Sequence, residues 1–297
     1  MPEIVYADMH CDTMSLCAEK GEELEEKINN LKYGGCAAQC FAIFTQGDGA
    51  AHSFLKQLKI FKDGAKGFKV ILNSNDLEFC IEKNVLGGIL TVENLGFIRE
   101  ISELNILKKE NVKMASLVWN EENGFAYSNG YMRERRGLKP LGREALNYLD
   151  ENKIIVDLSH LSDGGADEIL LNRKIPVAAS HSDAARVCGV SRNLKDGQIK
   201  KIADCGGVVG VNFYKKFLGA GDTFSQVEKH IRHIVNCGGE DIIAIGSDFD
   251  GMTPPDDLKS PKDMPALFKY LEKCFSPRLI EKFAYKNFLR VFKEVCG

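Results

Sequence analysis

Nowhere in these 297 residues do about 18 uncharged apolar residues run together, so no membrane-spanning helix is expected. The N-terminal "MPEIVYADMH" also lacks the basic stretch and long apolar run of a secretory leader. A surplus of positive charge is missing as well. Lys and Arg total 39 against 42 Asp and Glu, for a net charge of -3, and the densest basic cluster is "RERR" at 133–136, which argues against a nucleic-acid surface. Cysteine is plentiful at ten, but C-x-x-C is absent and the ten lack the dense spacing of small secreted domains. Reduced, packed thiols and a cytoplasmic location are therefore the expectation, with Cys36 and Cys40 facing one side of a strand. A glycine-rich phosphate loop is also absent after the first apolar run, where "ADMHCDTM" stands, and "FLGAGDTF" comes late and follows no clear strand. That counts against a doubly wound dinucleotide-binding sheet.

What the chain does have is a repeated unit. Eight short apolar, β-branched runs lie at 3–10, 36–44, 87–93, 113–119, 154–160, 176–182, 207–214 and 241–249. Between them lie stretches with helical periodicity, such as 140–153 and 224–237, and the tail "LIEKFAYKNFLRVFKEV" reads as an amphipathic helix. Near-continuous apolar strands alternating eight times with helices predict a parallel (β/α)₈ TIM barrel. No low-complexity linker divides residues 1–297, so one barrel domain is expected, with "MTPPDDLKSP" at 252–261 a surface loop.

In such a barrel the chemistry sits at the C-terminal ends of the strands, and there the polar residues gather. The first run ends with His10 and Asp12, which share a face two positions apart. The third ends with Glu93, the fifth with His160, the sixth with His181 and the eighth with Asp248 and Asp250. Three imidazoles with carboxylates and no thiolate suit zinc, or secondarily manganese, iron or cobalt. Five ligands exceed one tetrahedral zinc, so a bridging Glu93 would hold two Zn2+ ions with a hydroxide between them. His230 and His233 read as a solvated helix face, and His52 has no evident partner.

The motifs "DMHCDT", "LTVEN", "GLKPLGREALNYLDENKIIVDLSHLS", "VAASHSDAARVCGVSRNLKD", "VVGVNFY" and "IGSDFDG", in this order, resemble the membrane (renal) dipeptidases, peptidase family M19 of the amidohydrolase superfamily. By that resemblance His10 and Asp12 hold one zinc, His160 and His181 the other, and Glu93 bridges them. Asp248 is the acid/base residue and Arg192 anchors the carboxylate of a dipeptide substrate, whose C-terminal residue the family accepts in the D form. Family members often pair as dimers, so a homodimer is an open expectation.

One position departs from the family pattern: Trp119 stands in "LVWN" where a histidine is usual, and it can neither accept a proton nor become a cation. Trp119 is expected to reshape the pocket, or to pack at the rim while Asn120 or Tyr214 contacts the substrate. The segment 120–137 is expected to form part of the pocket wall, with Arg133, Arg135 and Arg136 as solvated surface charge or, alternatively, a preference for acidic substrates. A related amidohydrolase acting on a cyclic amide, lactone or N-acyl amino acid, and a catalytically impaired metal-binding homologue, are the alternatives.

Overall fold

The computed structural model describes residues 5–130, 132–171 and 173–297, so positions 3 and 4 of the first expected strand lie outside the described residues. Among these are β1 (Tyr6–Cys11), β2 (Cys36–Phe44), β3 (Lys69–Val70), β4 (Gly87–Glu93), β5 (Met114–Ser116), β6 (Ile155–Asp157), β7 (Ala178–Ala179), β8 (Val208–Val211) and β9 (Ile243–Ile245). The ladder runs from β1 through β9, β8, β7, β6 and β5 to β4, and β2 pairs with both β1 and β4. Every pairing is parallel. Eight strands thus close into the expected barrel. β3 had no counterpart among the expected strands; it is two residues long and pairs with Gly87 and Gly88, before the point where β5 joins β4.

Several strands are shorter than the apolar runs that announced them. Residues 154–160 yield only Ile155–Asp157, 176–182 only Ala178–Ala179, and 241–249 only Ile243–Ile245. The runs end early because the chain turns sharply just where the polar residues begin. Asn94, His160, Asp248 and Asp250 have φ of 75°, 71°, 62° and 69°. A non-glycine residue pays a steric cost in this left-handed region, and such positions cluster at functional sites.

Two apolar layers support the rim. Between barrel and helices packs an outer layer that includes Tyr6, Phe41, Val156 and Ile245. Inside the barrel Met9, Ala38, Cys40, Ile89, Met114 and Val208 fill the lower end. Phe288, Val291 and Phe292 of the terminal helix Asn287–Cys296 plug it from below. That helix is amphipathic as expected, but a π-helical turn over Lys282–Lys286 separates it from Pro277–Glu281.

All ten cysteines are free thiols. Cys36 and Cys40 do not share a face, however. A register shift between Tyr6 and Ala7 in the β1–β2 ladder leaves Cys36 in the outer layer and Cys40 inside the barrel. No helix among the described residues is long and apolar enough to cross a membrane.

Candidate functional site

At the C-terminal mouth of the barrel, six of the seven expected strand-end residues meet. Glu93, the last residue of β4, lies at the centre. Its Oε2 is 3.9 Å from His10 Nε2, while its Oε1 is 2.8 Å from His160 Nε2 and 3.5 Å from His181 Nε2. Asp12 Oδ2 and Asp248 Oδ1 lie 3.3 Å and 4.0 Å from His10 Nε2. Two triads within this cluster, His10 with Glu93 and His181, and His10 with Asp12 and Asp248, have the spacing of metal ligands. Asp250 reaches the same mouth, but its carboxylate accepts hydrogen bonds from Thr13 Oγ1 at 2.7 Å and Lys27 Nζ at 2.9 Å.

Hydrogen bonds behind the imidazoles decide which nitrogen faces the centre. His160 Nδ1 donates to Asn120 Oδ1 at 2.9 Å. His181 Nδ1 donates to Ser180 Oγ at 2.7 Å, and that hydroxyl donates to Asp157 Oδ2 at 2.5 Å. Each ring therefore presents an unprotonated Nε2 inward. The two Nε2 atoms are only 2.9 Å apart and both face Glu93 Oε1. Neither imidazole supplies a proton to this meeting point, so with Glu93 ionised three lone pairs repel there, and a cation placed among them removes that repulsion. The donor set thus fits a divalent metal.

The electrostatics agree. Burial opposes a charge on His10, but Asp12, Glu93 and Asp248 raise its pKa to about 10. Burial pushes Glu93 well above the usual carboxylate range, with Asp12 adding to it and His10 opposing. Asp248 is raised to about 6 by burial, against the attraction of His10. His160 and His181 are held well below the ordinary histidine value, first by burial and then by Arg192 and His10. The His10 imidazolium and the Arg192 guanidinium together do not balance three ionised acids, and a bound cation would favour their ionised forms.

Above the cluster opens a cavity of about 560 Å³, lined by Phe44, Trp119, Asn120, Arg192, Tyr214 and Met252 among others. That volume suits a small molecule. Arg192 is buried, its Nη2 donates to the His181 carbonyl at 3.3 Å, and its Nε has no partner. Trp119 packs edge-on against Phe44 at 4.8 Å, 6.1 Å from the His160 ring. Its indole therefore both fills the rim and walls the cavity.

Of the described residues in 120–137, Asn120 alone lines the cavity. Arg133 turns away to bond Asp163 Oδ1 at 3.1 Å and the carbonyls of Val190 and Asn193 at 3.1 Å and 3.2 Å. Arg136 pairs with Glu134. The segment thus contributes part of the wall through Asn120, and its Arg133 braces the chain around Arg192. His230, expected on a solvated face, is fully buried: its Nδ1 accepts from Ala184 N and its Nε2 donates to Leu218 O, both at 3.1 Å. It lies on the inner face of its helix.

The sequence reading passed over Asn212, Asp8 and Asp157. Asn212 Nδ2 donates to Asp248 Oδ2 at 2.9 Å. Asp8 accepts from Ser247 Oγ at 2.6 Å and fixes the turn leading to Asp248. The available signal was a carboxylate set inside an apolar run, in "IVYADMH" and "IIVDLSH".

A family model described as membrane dipeptidase, peptidase family M19, matches residues 1–296. An uncharacterized protein in the pqqA 5′ region of Klebsiella pneumoniae is 32% identical over 256 residues, 82% of this chain and 94% of its own. A crystal structure of dipeptidase AC, a metallo peptidase, superimposes with a TM-score of 0.92 at 24% identity, covering 99% of each chain. A metallo peptidase from Rhodobacter sphaeroides, liganded with a phosphinate mimic of the dipeptide L-Ala-D-Ala, gives 0.90 at 24%, covering 98% of this chain and 99% of its own. At these identities the two structures bear on the fold.

Proposed function

Since the chain belongs to the membrane dipeptidase family, peptidase family M19, we propose that it is a metal-dependent dipeptidase holding two zinc ions and accepting a D-residue at the C-terminal position of its substrate. The observation that carries this reading is the convergence of His160 Nε2, His181 Nε2 and Glu93 Oε1 at a point to which neither imidazole brings a proton. His10 and Asp12 would hold one ion, His160 and His181 the other, and the two oxygens of Glu93 point one to each side. When bound, such ions polarise a peptide carbonyl and lower the pKa of the attacking water.

The protein's own groups supply the rest. Arg192 lines the cavity as a buried guanidinium with donors to spare, a planar fork matched to the free carboxylate of a dipeptide. Asp248 moves the proton. Its Oδ2 is held by Asn212, and Oδ1, on the His10 side, takes the proton of the nucleophile and returns it to the leaving amine. Trp119 and Phe44 keep water from one wall and shape the space for the substrate side chain. A D-residue in that space is supported by the L-Ala-D-Ala mimic bound to the Rhodobacter relative.

The test is amino-acid release from L,L- and L,D-dipeptides by zinc-loaded protein, beside His181→Ala. Release that vanishes in the variant is the expected result. No release from protein that still holds two zincs would overturn the reading.

A further inference from the structure

Outside the cavity at the barrel mouth, three side chains of different chemistry meet at one nitrogen. His233 and Cys237 are four residues apart on the helix Thr223–Gly238, so they share a face. Asp196 opens the neighbouring helix Asp196–Asp204. His233 Nε2 is 2.7 Å from Asp196 Oδ1 and 3.4 Å from Cys237 Sγ, and all three ligand atoms lie within 4.8 Å of one another. Both contacts fall on the same ring nitrogen. A proton relay from acid through imidazole to thiol would need the two different nitrogens, so this is not a nucleophile with its base.

We propose that Asp196, His233 and Cys237 form a separate, three-ligand site for zinc or a similar thiolate-binding divalent ion, which fastens the helix Asp196–Asp204 to the helix Thr223–Gly238. A tetrahedral zinc with bonds of ~2.0 Å to nitrogen and ~2.3 Å to sulfur sets those two atoms ~3.5 Å apart, close to the spacing already present. The oxygen and nitrogen need ~3.3 Å, so the exposed Asp196 carboxylate has only to draw back by a fraction of an ångström. Oxygen, nitrogen and sulfur donors together are a borderline set that suits zinc and cobalt. Asp196 is exposed and the other two are half-buried, so an ion has access and solvent can complete its coordination. On binding, the Cys237 thiol gives its proton to solvent and the thiolate becomes the ligand.

The site has a signature that the barrel-mouth cluster cannot produce, because that cluster has no sulfur ligand. The experiment is a titration of metal-free, reduced protein with cobalt(II) alone. The expected result is a near-ultraviolet thiolate-to-cobalt charge-transfer band in the intact chain and its loss in Cys237→Ser and His233→Ala. Metal analysis of zinc-loaded Cys237→Ser should give one zinc fewer than wild type, with dipeptide hydrolysis unchanged. No charge-transfer band in wild type, or a band that persists in Cys237→Ser, would overturn the proposal. Neither outcome depends on whether the barrel mouth cleaves dipeptides.

Discussion

Ser180 and Asn120 show how much a neutral side chain contributes to a metal-binding cluster. Each accepts the Nδ1 proton of one imidazole and leaves its Nε2 lone pair facing Glu93. Ser180→Ala removes the acceptor for His181, so zinc affinity at the mouth should fall by ~10- to 100-fold. A chelator competition titration measures it, and an unchanged affinity would mean that the hydroxyl only fills space. Trp119 acts at the same scale but on the substrate side. Its contacts with Phe44 and the cavity predict that Trp119→His shifts relative rates across a dipeptide panel while metal content stays the same. Uniform rates across the panel would leave it a packing residue only.

Short parallel strands carry this site on the turns that follow them. β6, β7 and β9 are only two or three residues long, and His160 and Asp248 lie in left-handed turns beyond β6 and β9. These turns are held by buried acids, Asp157 accepting from Ser159 N beyond β6 and Asp8 accepting from Ser247 beyond β9. The segment after β7 is held differently, since Arg133 grips the carbonyls of Val190 and Asn193 on either side of Arg192. Arg133→Ala should therefore act through Arg192: a loss of ~1.4 kcal/mol in substrate binding raises KM about tenfold, with kcat changed far less. Steady-state kinetics separates the two, and a fall confined to kcat would contradict the bracing role. The sequence showed the apolar runs but not where each strand stops, because the stop is set by these long-range hydrogen bonds.

For the molecule as a whole, His230 links stability to pH. It is neutral and buried, with Nδ1 accepting and Nε2 donating, and burial lowers its pKa to about 4. In the unfolded chain it titrates near 6.5. As pH falls from about 6.5 towards about 4, the unfolded state takes up a proton that the folded state refuses, so stability declines over that window by up to ~3 kcal/mol. Urea unfolding of wild type and His230→Gln at pH 7 and pH 5 tests this. The variant should lose part of the pH dependence, and an identical dependence in both would refute the assignment.

The order of apolar runs and the polar residues that end them determined the barrel and the bowl of polar side chains at its mouth, since alternation and strand-end position are local properties of the chain. His10, Asp12, Glu93, His160, His181 and Asp248 were legible for that reason. Only the tertiary structure decided which nitrogen each imidazole presents, that Arg133 turns away from the cavity to brace the chain around Arg192, that His230 is buried, and that His233 meets Asp196 across 37 positions. Those outcomes depend on contacts between segments far apart in the chain, and no periodicity within one segment records them.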